Sequence, residues 1–314
     1  MLEELLQQKK CFKLICGAGN QDVSSVEKLV AVYAKAGCAF FDLSADNDVI
    51  NAAKRGLERG NANDKVYLCI SVGTKNDAHF QKAKIDKTKC LNCFKCVSSC
   101  PQKAINTSLD VCEEKCIGCG RCELSCPSSC IFFEEKKKSL KQLFYELNLS
   151  DVDCIELHVG DEKDCYEMWD LLRRCFSGML SICIGRKKFS DEKFINILEK
   201  LLRDRKPYST IIQADGSPMS GGVDDYESTL QAVSAGNLVQ KADFQQYLLL
   251  SGGTNSKTAK LAKLCSVDIN GVSVGSYARK IVAEYIERED FWDNQEVFDK
   301  AVCVAKKFIS EIYE

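Results

Sequence analysis

Cys90, Cys93, Cys96 and Cys100 stand as C-x2-C-x2-C-x3-C before Pro101. Cys116, Cys119, Cys122 and Cys126 repeat the spacing before Pro127. Three thiolates this close grip three corners of one cubane, and the fourth, past a turn, reaches the other. The spacing predicts two [4Fe–4S] clusters. Cys90, Cys93, Cys96 and Cys126 would hold one; Cys116, Cys119, Cys122 and Cys100 would hold the second. The chemistry such clusters supply is one-electron transfer.

Zinc and disulfides are the competing uses of so many cysteines. Structural zinc favours two Cys pairs or mixed Cys/His sets, and His79 and His158 are the chain's two histidines. Disulfide frameworks suit short secreted chains, whereas this one has 314 residues and opens without an apolar leader segment. Its 20 cysteines therefore point to a reducing compartment, the cytoplasm or, in a photosynthetic eukaryote, the plastid stroma. Cys112 and Cys130 flank the second run outside its spacing. They read as small packing residues of the cluster module, or else as redox-responsive thiols. Cys16, Cys38, Cys69, Cys154, Cys183 and Cys265 sit in or beside apolar runs and are expected in the core.

A formal charge of −2 supplies no basic field for nucleic acid. No apolar run approaches a membrane span. Outside residues 77–134, β-type runs alternate with amphipathic ones. The strand candidates are Phe12–Gly17, Ala39–Ser44, Val66–Gly73, Cys154–Gly160, Leu180–Gly185, Ser209–Asp215, Tyr247–Gly252 and Gly271–Gly275. Between them Ser24–Ala36, Val49–Arg59, Cys165–Phe176, Glu192–Arg203 and Asp225–Val239 carry apolar residues at three- and four-residue steps. Ser24 and Asp191 are candidate N-caps, and a last helix is expected within Ile281–Ile312. Strict β/α alternation argues a parallel sheet with helices outside it.

Eight strands and eight helices fit a TIM-type (β/α)8 barrel; a doubly wound open sheet is the alternative. Of the 314 residues, removing the 58 from 77 to 134 leaves 256, near the ~250 typical of such barrels. The expected organisation is thus a discontinuous barrel, 1–76 and 135–314, with a two-cluster, bacterial-ferredoxin-like α+β insertion at 77–134. An insertion after the third strand lies at the barrel's C-terminal face, where barrel enzymes build their sites.

Strand side chains alternate between faces. With the apolar set outward, Asp42, Ser71, Glu156, His158, Ser181, Gln213, Asp215 and Ser273 face inward, joined by Cys69 and Cys183. A barrel interior is normally Val, Ile and Leu, so these polar groups need partners, water or a ligand. Either they form a buried hydrogen-bond network or they line a pocket. In the pocket reading His158 is a candidate proton donor, and Asp42, Glu156 and Asp215 are candidate bases or ligand anchors.

Three glycine-rich segments follow the late strands: Asp215–Gly222, Ser251–Asn255 and Gly275–Arg279. They suit tight βα turns. They also suit a phosphate-bearing ligand, since glycine lets backbone N–H groups approach an anion and the late barrel loops often bind phosphate. Gly252, Gly253, Gly275, Ser276 and Arg279 are the candidate anion site, with Arg186 or Lys257 as further charge. Lys136–Lys138 reads as a solvated exit from the insertion, or a contact for an acidic partner.

Phe12-Lys-Leu-Ile-Cys-Gly-Ala-Gly-Asn-Gln-Asp22, Phe41–Asp46, Gln213–Gly221, Gly252–Asn255 and Gly275–Arg279 resemble segments of the light-dependent period protein family of cyanobacteria. The resemblance runs over nearly the whole chain, and the cysteine runs lie where that family has them. The Lys-rich stretch Lys82–Lys89 departs from its expected composition. The resemblance implies a protein that relays redox or light state to the circadian clock through its clusters and contacts with clock proteins. Only the eight cluster cysteines carry over as functional residues. The leading expectation is a soluble iron–sulfur protein that senses or relays redox state to a partner protein or small electron carrier. The alternative is a barrel oxidoreductase fed by its own cluster module.

Overall fold

The computed structural model describes residues 1–61, 65–75, 77–136, 139–217 and 222–313. The strands run in chain order as β1 (Cys11–Ile15), β2 (Phe40–Ser44), β3 (Tyr67–Gly73), β4 (Gln81–Ile85), β5 (Ile131–Glu135), β6 (Cys154–His158), β7 (Met179–Gly185), β8 (Thr210–Asp215), β9 (Tyr247–Ser251) and β10 (Gly271–Val274). All but β4 and β5 pair in parallel and close into a barrel, β1-β10-β9-β8-β7-β6-β3-β2. The β/α alternation thus ends in closure rather than an open sheet. The helices are α1 (Leu2–Gln7), α2 (Val23–Lys35), α3 (Asn47–Arg59), α4 (Lys95–Ser99), α5 (Arg121–Leu124), α6 (Leu140–Glu146), α7 (Glu162–Cys175), α8 (Asp191–Leu202), α9 (Tyr226–Ala242), α10 (Thr258–Leu264), α11 (Ser276–Ile286) and α12 (Gln295–Ile312).

Strand parity sorts the side chains into tiers. Outward residues such as Phe12, Leu14, Phe41, Leu43, Ile70 and Ile155 pack under the helices in the main core. Inward, Cys11, Phe40, Tyr67, Cys69, Cys154, Ile211, Tyr247 and Leu249 form an apolar floor, sealed by Leu2 and Leu6 of α1. Above it the interior turns polar, and that tier supports the site.

Three local expectations need correction. Asp22, not Ser24, caps α2, accepting from the Ser25 N–H at 3.1 Å. Ser190 caps α8, so Asp191 lies one residue inside, where it favours the helix dipole and pairs with Arg186. The terminal helical region is two helices: after Ile286 the chain turns around buried Phe291 and restarts at α12, capped by Asn294.

Between β3 and β6, β4 pairs antiparallel with β5, Ala83 opposite Phe133, and α4 and α5 lie between them in the chain. Cys96, Cys116, Cys122 and Cys130 share this segment's core with Ala83, Ile105 and Ile131. Cys130 packs as expected, but Cys112 is exposed and donates to Glu114 at 3.2 Å. Cys16, Cys38, Cys69, Cys154 and Cys183 are buried, whereas Cys265 is exposed because it ends α10 as its C-cap. Lys137 and Lys138 of the basic run, and residues 218–221 of the first glycine segment, lie outside the described residues.

The segment docks on the C-terminal end of the barrel. Lys82 Nζ donates at 2.6 Å to the carbonyls of both Gly19 and Cys116, and the Gln21 N–H donates to the Glu114 carbonyl. Gly118 has φ +70°, and a Cβ there would collide with the Ala78 carbonyl oxygen. Gly118→Ala is therefore expected to cost about 1–3 kcal/mol of docking stability from backbone strain. Hydrogen exchange at Ala78–Phe80 should accelerate while β2 and β3 amides stay protected; unchanged exchange would show that this contact anchors nothing.

Candidate cluster cavities and barrel mouth

Two small cavities open inside the cysteine-rich segment. Cys90, Cys93, Cys96 and Cys126 line one, with Leu91, Phe94, Leu109 and Ile131 around them. Cys100, Cys116, Cys119 and Cys122 line the other, with Ala83, Ile105, Ile117 and Phe133. Each cavity thus gathers three thiols of one run and the fourth of the other run. Among the described residues, no three of these thiols bring their sulfurs within 4.8 Å of one another. A tetrahedral zinc with Zn–S bonds of ~2.3 Å would hold them about 3.8 Å apart. Four run cysteines around each cavity are a donor set that an iron–sulfur cluster takes. Backbone amides also face the sulfurs: Ala83 N–H donates to Cys116 Sγ, Ala104 N–H to Cys100 Sγ and Asn92 N–H to Cys90 Sγ, the kind of contact that tunes cluster potential. Cys130 Sγ lies 3.4 Å from Cys126 Sγ, giving the first cavity a fifth thiol.

The polar tier of the barrel is fully buried. Lys13 Nζ donates to Glu156 Oε2 at 2.7 Å and to Gln213 Oε1 at 3.2 Å, and it faces Asp42 Oδ1 at 3.7 Å. Ser181 and Gln213 donate to Glu156, Ser273 to Gln213, and Ser71 to Asp42. Above this network the mouth holds a cavity of about 70 Å³. Asp42, His158, Cys183, Gln213 and Asp215 line one side; Gly252, Gly253, Gly275, Ser276 and Arg279 line the other. Ile117, between two cysteines of the second run, lines both this mouth and the second cysteine cavity.

The buried charges settle unequally. Burial works against the Lys13 ammonium, but Cys69, Glu156 and Asp42 outweigh it and hold its pKa well above the ordinary value. Burial also works against the Glu156 carboxylate, yet Lys13 and His158 bring it down to about 2. Burial prevails at Asp42, whose carboxyl is pushed up, and at Asp215, pushed up to about 6. His158 is opposed by burial but raised well above its usual range by hydrogen bonds to Asp77 and Glu156. Carboxyls driven apart in this way are what acid–base chemistry requires.

Of the residues singled out in the sequence, Asp42, His158, Asp215, Gly252, Gly253, Gly275, Ser276 and Arg279 meet in one cavity. Glu156 lies beneath it, 3.3 Å from His158. Arg279 Nη1 donates to the Ile15 and Cys16 carbonyls, and its buried Nε has no protein partner among the described residues. Arg186 is held by Asp191 and Ser234, and Lys257 faces Asp224; neither lines the mouth. Sequence reading missed Lys13, although it alternates with outward Phe12 and Leu14. It also missed Asp77 and His79, whose 3-10 turn opens the inserted segment and gives no strand parity to read.

Residues 89–137 match the LdpA Fe-S cluster-binding domain, and residues 146–311 match the Light dependent period A C-terminal domain. A relative from Synechococcus elongatus, Light dependent period A, is 32% identical over 299 residues, covering 90% of this chain and 84% of the relative. Among solved structures, the YdjI aldolase of Escherichia coli K12 superposes with a TM-score of 0.51 at 8% identity, over 98% of this chain and 94% of its own. A protein named as a fructose-1,6-biphosphate aldolase from Coccidioides immitis does so with 0.50 at 12%, over 99% and 94%. At such identities the likeness is one of fold, a TIM barrel. Among the described residues no helix is long and apolar enough to cross a membrane. With both domain descriptions matched in order and a relative alike along nine-tenths of the chain, this is an iron–sulfur protein that belongs to the Light dependent period A family.

Proposed function

We propose that residues 77–134 form a two-cluster, ferredoxin-like insertion in a barrel built from 1–76 and 135–314, and that it relays redox state to a partner. Cys90, Cys93, Cys96 and Cys126 would hold one [4Fe–4S] cluster, and Cys116, Cys119, Cys122 and Cys100 the other. Clusters held there supply one-electron transfer. The partner is a redox protein or small electron carrier in the cytoplasm or plastid stroma, with clock proteins as the class that the relative's name brings forward. Lys82 carries the coupling. Its ammonium is shared between the Cys116 carbonyl and the β1 loop at Gly19, so a change of negative charge in the second cavity alters what holds the two bodies together.

A second reading, an oxidoreductase with a phosphate-bearing ligand at Gly252, Gly253, Gly275, Ser276 and Arg279, is favoured by Ile117. That side chain lines both the second cavity and the mouth. Electron paramagnetic resonance of the anaerobically reduced protein should show two interacting clusters, and a single-cluster signal or bound zinc would overturn the assignment. Partner affinity should differ between oxidised and reduced protein; equal affinities would sink the relay. Retention of an organic ligand that Asp215→Asn releases would instead support the oxidoreductase.

A further inference from the structure

We propose that Asp77, His79 and His158 hold a divalent transition-metal cation at the barrel mouth, separate from the cysteine cavities. One ligand atom from each lies within 4.8 Å of those of the other two. Metal–nitrogen and metal–oxygen bonds of ~2.1 Å place tetrahedral ligands about 3.4 Å apart. Asp77 Oδ2 and His158 Nδ1 already stand 3.4 Å apart, and Asp77 Oδ1 and His79 Nδ1 stand 2.8 Å apart. A small opening of the 3-10 turn that carries Asp77 and His79 admits the ion.

The surroundings are those of a metal ligand. A ligating histidine presents its other ring nitrogen to a carboxylate or similar group that fixes its tautomer. His158 Nε2 faces Glu156 Oε1 at 3.3 Å and Ser71 Oγ at 3.2 Å, and Glu156 is itself pinned by Lys13 and Gln213.

Glu156, His158 and Cys183 form a second close trio. Glu156, however, already accepts from Lys13, Ser181 and Gln213, whereas the half-buried His79 lines the open mouth. The ion is therefore placed at Asp77, His79 and His158, with its remaining positions toward the cavity. Two imidazoles and one carboxylate select borderline cations such as Zn2+, Co2+ or Fe2+ over Ca2+ or Mg2+.

Zinc serves as the probe because its X-ray edge is separate from that of iron. The full chain, prepared anaerobically with its iron and sulfide intact, should take one Zn2+ with a nitrogen/oxygen shell and imidazole scattering, without the ~2.3 Å sulfur shell of cysteine ligation. His79→Ala should weaken Zn2+ binding by at least about 100-fold, and Glu156→Gln by about 10–100-fold, the range for outer-shell partners. Cys183→Ser should leave it unchanged. Iron and sulfide contents report that the variants are folded. A sulfur shell, undetectable zinc binding in the wild type, or binding that His79→Ala spares would each overturn the proposal.

Discussion

Lys13→Met is expected to destabilise the barrel by about 3–5 kcal/mol, the cost of removing one partner from a buried ion pair. Lys13 is 1% exposed, and its partners Asp42 and Glu156 are 1% and 0% exposed, so neither carboxylate can turn to water when the ammonium is gone. Methionine keeps most of the side-chain volume, which isolates charge from packing. The apolar floor below, around Phe40 and Leu249, should stay filled. The companion variant Lys13→Met with Glu156→Gln is expected to recover more than half of the loss. The glutamine can still accept from Ser181 and exchange hydrogen bonds with Gln213 without carrying a buried charge. Urea unfolding followed by the fluorescence of Trp169 and Trp292 measures both. A midpoint for Lys13→Met equal to that of the wild type would mean that Glu156 is protonated in the fold and that the polar tier is not held by charge.

That tier also shows what a sequence can and cannot disclose. Period-two alternation placed Asp42, Ser71, Glu156, Ser181, Gln213 and Ser273 inside because their neighbours Phe41, Ile70, Ile155, Ile182, Ile212 and Val272 are unmistakably outward. The eight strands were legible within one or two residues for the same reason. Lys13 escaped because a lysine between two apolar residues reads as a solvated edge until the strand closes on both sides. Closure itself is a long-range event: β1 meets β10 across the whole chain, and no local period encodes it. Asp77 and His79 were invisible for a different reason. They reach His158 because β3, which ends just before them, pairs with β6 across the whole insertion, Gly73 opposite His158. The choice between a buried network and a pocket was also undecidable locally, and the structure contains both, stacked. Lys13, Glu156 and Gln213 satisfy one another below, while His158, Asp215 and Arg279 face open volume above.

The stacking gives the cysteine cavities a particular relation to the barrel. The second cavity is not remote from the mouth: Cys116 and Cys119 flank Ile117, which lines both. Among the described residues, the first cavity shares none of its lining with the mouth. Loss of the cluster proposed for the second cavity is therefore the lesion that should be felt in the barrel, and the crossed lining of the cavities by the two cysteine runs decides which substitutions produce it.

Cys100→Ser is expected to empty the second cavity although Cys100 belongs to the first run. Two [4Fe–4S] clusters carry about eight irons, so iron should fall to about four per chain and the interaction between clusters should vanish from the paramagnetic spectrum. Cys119→Ser should give the same result and Cys93→Ser the complementary one. The double variants are decisive, because two lesions in one site do not add whereas lesions in separate sites do. Cys100→Ser with Cys119→Ser should still retain about four irons; Cys100→Ser with Cys93→Ser should retain almost none. If the latter pair kept about four irons, each run would hold its own cluster and the crossed arrangement of the cavities would not be that of the ligands. Cys126→Ser is the weaker test of the same crossing. The Cys130 thiol lies 3.4 Å from that of Cys126 and is positioned to replace it, while among the described residues no fifth thiol lines the second cavity. Cys126→Ser should accordingly lose much less iron than Cys100→Ser, and Cys126→Ser with Cys130→Ser should restore the full loss.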